Sequence, residues 1–118
     1  FPTRRSSDLY LEYFQHKIDL DGVDQAPLSD LIKHVLTLMR YALIICRHYV
    51  QYNKFAVLQD YLRLIPELPL PDSLKRAIEK SLQGEPIDQD LAAAFRQELP
   101  AFQQALVDAM LRAKPESH

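Results

Sequence analysis

One stretch limits this chain more than any other: "LSDLIKHVLTLMRYALIICRHYVQY", residues 28–52. Its apolar residues fall at Leu28, Leu31/Ile32, Val35, Leu38/Met39, Ala42, Ile45/Cys46 and Tyr49. That spacing is close to a heptad and is helical, because only a 3.6-residue turn puts these positions on one face. Asp24 and Asp30 lie near its start, and Arg47 and His48 near its end. Charges in that order complement the helix dipole. A helix of this length is too long to bury its stripe alone, so the rest of the chain has to supply helices that pack on it.

The rest of the chain shows the same period. "YLEYFQHKI" places Tyr10, Phe14 and Ile18 four residues apart. "KFAVLQDYLRLI" puts Phe55, Leu58, Leu62 and Ile65 on one face, with Asn53 as the break or cap before it. Pro66, Pro69 and Pro71 end that helix and stiffen "PELPLP" into a linker. Asp72 is the expected N-cap of "SLKRAIEKSLQ", with Leu74, Ala77, Ile78 and Leu82 inward and Gly84 at the left-handed C′ position. Asp88 caps the last element, whose stripe Leu91, Phe95, Leu99, Phe102, Leu106 and Ala109/Met110 stays in phase across Pro100. One helix kinked at Pro100 is therefore expected rather than two. The only glycines are Gly22 and Gly84, which leaves little material for strand turns and none for a phosphate loop. The expected fold is all-α, an irregular bundle of four to five helices with antiparallel neighbours.

The first nine residues stand apart. "FPTRRSSDL" resembles the translation of a widely used sequencing adapter, the DNA string TTC CCT ACA CGA CGC TCT TCC GAT CT. Residues 1–9 are accordingly expected to be non-native and are excluded from fold reasoning. Residues 10–114 are expected to form one helical domain, the C-terminal part of a longer protein, with 115–118 as a disordered tail.

Charge and cysteine content narrow the function. The chain carries −2, and residues 1–9 contribute two Arg and one Asp, so the remainder carries −3. That mild acidity argues against nucleic acid as a partner. Cys46 is alone, so no disulfide closes within the chain, and a cytoplasmic setting is expected. No apolar run reaches the ~18 residues of a membrane span.

Motifs that would carry chemistry fail on their contexts. "DLDGVD" resembles the D-x-D-G-V/T nucleophile motif of haloacid-dehalogenase-type phosphatases, with Asp19 and Asp21 as the two acids. That motif ends a buried parallel strand, and here a helical pattern precedes it. As a calcium loop, with Gly22 at position 6, it would begin at Lys17 and end at Leu28, neither of which offers an oxygen-bearing side chain. "RLIPELP" fits the R-x-x-P-x-x-P pattern read by SH3-type grooves, but Arg63 and Ile65 look like a last helical turn. Cys46 falls on the apolar stripe, where a thiol behaves as a small hydrophobe. His34 and His48 are fourteen residues apart, roughly 20 Å along a helix, and cannot share a metal. No catalytic residue, cofactor site or metal site is expected.

Two groups of residues remain as candidate faces. Lys33, Arg40 and Arg47 recur every seven residues, with Ile44 among them as an apolar anchor. Such a line suits a protein partner, an anionic ligand or a membrane surface. His34, Tyr41 and His48 share one flank and, with Tyr52, mark a possible pocket in a region rich in tyrosine and phenylalanine. The expected function is that of an interaction or regulatory domain of a larger bacterial-type protein, with no catalytic activity of its own. A protein partner, a second copy or the upstream part of the same chain is the expected partner. The alternatives are a cytosolic tail of a membrane transporter, with membrane contact, and a helical subdomain of an enzyme.

Overall fold

A computed structural model of the chain describes residues 27–113. Four helices follow one another: α1 (Leu28–Arg47), α2 (Lys54–Leu64), α3 (Asp72–Gln83) and α4 (Gln89–Ala113). No strand occurs among the described residues. The expectations for residues 1–9, for the helix after Tyr10, for "DLDGVD" and for 115–118 lie outside the described residues.

α1 is the spine. It packs against both α2 and α4, α3 packs against α4, and the contacts of α3 with α1 and α2 are lighter. The predicted stripe is buried at Leu31, Ile32, Val35, Leu38, Met39 and Ala42. Leu36, Leu43 and His34 are buried as well, because a helix with neighbours on two sides needs a wider apolar face than one stripe. Around it the core draws Leu74, Ala77 and Ile78 from α3 and Leu91, Phe95, Leu99, Phe102, Leu106 and Met110 from α4. Tyr61 of α2 meets Phe102 of α4 edge to face, ring centres 6.1 Å apart. That geometry sets the positive edge of one ring against the negative face of the other.

Local signals set most helix ends. Asn53 caps α2, its side chain accepting the Phe55 N–H at 2.9 Å. Gly84 ends α3 at φ 74°, and the Glu85 N–H returns to the Lys80 carbonyl at 2.8 Å. Asp88 accepts the Leu91 N–H at 2.7 Å ahead of α4. α4 runs through Pro100 as a single helix, as the in-phase stripe predicts. Proline supplies no N–H there, so one bond of the ladder is missing.

Three details differ from expectation. Asp72 is the first residue of α3 and not its cap; Pro71 holds the cap position, without a side-chain bond. The inward face of α2 is Val57, Leu58, Asp60 and Tyr61, while Phe55 is exposed. The long helix also stops at Arg47 instead of near Tyr52. His48 takes the left-handed conformation, φ 55° and ψ 38°, and donates to the Ile44 carbonyl at 3.0 Å. The Tyr49 N–H then reaches the Leu43 carbonyl at 3.1 Å. Residues 48–53 leave the helix as a non-helical strap leading into α2.

Candidate functional site

The strap is held by its polar side chains. Asp60, on the inward face of α2, is its anchor point. It accepts hydrogen bonds from Tyr49 Oη at 3.1 Å, from Gln51 Nε2 at 2.6 Å and from Arg63 at 2.9 Å. A carboxylate can sit in a core-facing position only when its lone pairs are met. Here two of the three donors come from the strap. The bonds from Gln51 and Arg63 hold its carboxyl below the usual carboxylate range, with Tyr49 adding to the effect. Ionised, Asp60 is an acceptor and not a proton donor.

A second grip comes from α1. Arg40 donates through Nε to the Gln51 carbonyl at 3.0 Å and through its terminal nitrogen to the Tyr52 carbonyl at 3.5 Å. Gln51 also accepts the Asn53 N–H at 3.0 Å, which joins the strap to the cap of α2. Tyr49 and Gln51 thus turn inward. Their neighbours Val50 and Tyr52 turn outward, 51% and 86% exposed, and Phe55, the second residue of α2, is 58% exposed. Among the described residues only Leu111 joins them as an exposed large apolar side chain. Three of the four therefore fall within six residues of chain, which concentrates the apolar exposure at one place.

The basic line of α1 is largely used within the chain. Arg40 grips the strap. Arg47 donates to the Leu64 carbonyl at 2.7 Å, to the Cys46 carbonyl at 3.0 Å and to the Glu67 carboxylate, tying the end of α1 to the linker after α2. Glu67 is held below its usual range by its own backbone N–H and by Arg47. Lys33 is exposed, its carbonyl accepting from Thr37 at 2.9 Å, and Ile44 is half-buried. Sequence shows the period of these cations but not that two of them serve backbone carbonyls.

The four residues marked as a possible pocket sit in different surroundings. His34 is buried and its Nε2 bonds Gln103 of α4. Tyr41 is half-buried, while His48 and Tyr52 are exposed. Cys46 is half-buried and free, and burial pushes its thiol up, away from the thiolate a nucleophile needs. The proline linker is fixed by the Tyr61 hydroxyl, which donates to the Leu68 carbonyl at 2.9 Å. Burial raises that phenol far above its ordinary value. Ser73 at the start of α3 donates to Glu98 of α4. Among the described residues no three His, Cys, Asp or Glu side chains are grouped to hold a metal ion, and no helix is long and apolar enough to cross a membrane.

Sequence reasoning missed the Asp60 centre. Its signal was available: Asp60 lies three residues after Val57 and next to Tyr61, so once those two face inward it must do so too. Reading the α2 face from Phe55 instead turned Asp60 outward. No protein family model, curated protein or solved structure matches this chain.

Proposed function

We propose that this chain is a helical interaction domain, regulatory to a larger protein and without catalysis of its own, that binds its partner through the strap. The observation that carries this reading is the inverted strap: polar side chains locked inward on Asp60, apolar ones held outward at Val50, Tyr52 and Phe55. An exposed aromatic on a segment already fixed by hydrogen bonds loses little conformational entropy on binding, which is how interface anchors gain affinity. The reading moves the partner face from the line Lys33, Arg40, Ile44 and Arg47 to the strap beside it, because Arg40 and Arg47 are engaged with backbone carbonyls.

Photo-cross-linking tests the face. A benzoylphenylalanine replaces Tyr52 in one variant and Gln83, an exposed residue at the end of α3, in another. Irradiation in extract of the source cells should give a discrete adduct from position 52 and not from position 83. Adducts of equal yield and pattern from both positions would sink the reading.

A further inference from the structure

We infer that the strap takes an extended, acidic segment of a partner protein, one that carries large apolar side chains between its carboxylates. This rests on the interaction reading above and adds the chemistry of the occupant.

Charge is the first argument. The carboxylates near the strap are already neutralised, Asp60 by Arg63 and Glu67 by Arg47. Two cations beside it have no carboxylate partner among the described residues. Arg40 donates to two neutral carbonyls, and Lys54 lies 5.3 Å from the centre of the Phe55 ring. Among the described residues the strap is thus locally positive, on a chain that is −2 overall. A complementary segment is negative, and its acids would sit at the rim while its apolar groups meet Tyr52 and Phe55.

The backbone is the second argument. Among the described residues, no acceptor meets the N–H groups of Val50, Gln51 and Tyr52, while the carbonyls of Gln51 and Tyr52 are taken by Arg40. By the same count the carbonyls of His48, Tyr49 and Val50 meet no donor among the described residues, so the strap offers both donors and acceptors, as an extended pairing requires. An extended peptide brings carbonyls to such donors, and side chains on alternate residues can meet Val50 and Tyr52. A membrane surface is the poorer fit, since its headgroups present no fixed row of partners in register with these backbone groups. A symmetric second copy is poorer still. A twofold contact sets the same patch against itself, so Arg40 and Lys54 would meet like charges.

The test uses the full chain against a display library of short random peptides. The enriched peptides should combine Asp or Glu with Leu, Phe or Tyr and bind less tightly as salt rises. Tyr52→Ser with Phe55→Ser should weaken them by about tenfold or more, the loss expected when interface anchors are truncated. Lys54→Glu should weaken them about threefold or more through the lost rim charge. All three side chains replaced are exposed, so circular dichroism should show the fold unchanged, and Val50→Ser provides an independent variant of the same face. Neutral or basic peptides whose binding still needs Tyr52 and Phe55 would overturn the acidic occupant and leave the interaction reading standing. No binding that depends on these residues would overturn both. Binding to phosphatidylcholine vesicles containing phosphatidylserine, lost in the double variant, would replace the peptide by a membrane.

Discussion

Replacing Asp60 by alanine should cost about 1.5 kcal/mol and release the strap. The magnitude follows from its three donors. The bonds from Tyr49 and Gln51 reach an ionised acceptor in a buried place, each about 1 kcal/mol net. The Arg63 side chain is 60% exposed, so solvent screening leaves that pair little weight beside them. Alanine's better helix propensity returns about 0.5 kcal/mol. In urea, with a slope of about 1.2 kcal/mol per molar for a domain of this size, the midpoint should fall by roughly 1 to 1.5 M near neutral pH. The effect should depend on pH in one direction only. The Asp60 carboxyl is depressed in the folded chain, so its contribution is complete above its ordinary value of 3.8 and disappears as pH falls through the lower folded value. Wild type and Asp60→Ala should therefore converge in acid. Far-ultraviolet circular dichroism reads the midpoints, and amide exchange at Tyr49 and Asn53 reads the strap. A midpoint shift under about 0.3 M, or a gap of equal size in acid and at neutral pH, would refute the reasoning.

Two further substitutions check the core and the turn. Met39→Asp places a carboxylate where exposure is zero, at a cost of several kcal/mol that rivals the whole stability of a small domain; cooperative unfolding should vanish, and a near-normal melt would mean the α1 stripe is misplaced. Gly84→Ala should lower stability by about 1 kcal/mol, or about 4–8 °C in the midpoint of a thermal melt, because φ is 74° while a Cβ there meets no atom within 4 Å; an unchanged or raised midpoint would contradict the left-handed closure.

What could be read in advance follows a physical division. Asn53, Gly84 and Asp88 act within a few residues of themselves, through a cap or a left-handed turn, so their roles show in the sequence alone. The stripes of α1, α3 and α4 are likewise periodic and local. The end of α1 is different. Tyr49 continues the apolar period and no glycine or proline interrupts at His48, so local propensity favours a longer helix. The helix stops at Arg47 beside contacts distant in sequence: Asp60 of α2 takes Tyr49 and Gln51, and Arg40, two turns back in α1, takes the carbonyls that follow. The choice of inward face in α2 is coupled to the same bonds, since Asp60 can turn inward only if donors meet it there. Tertiary hydrogen bonds thus outweigh the propensity of one helical turn, and single-residue patterns do not record them.

The same coupling separates the scaffold from the surface it presents. Tyr49, Gln51, Arg40 and Asp60 are explained by the fold, because each satisfies a polar group of another. Val50, Tyr52 and Phe55 are not: they bury little, and among the described residues no side-chain interaction holds them apart from the Lys54–Phe55 contact. Polar residues at these three positions would leave every bond of the strap in place. A strap needed only as a connector could be polar outside and polar inside at no cost to the core. One that spends four polar side chains to fix its path, and then turns a tyrosine and a phenylalanine to solvent, has an outward face that the core does not require. That surplus is what points to binding, and it lies in the side chains that stability measurements on the isolated chain should barely register.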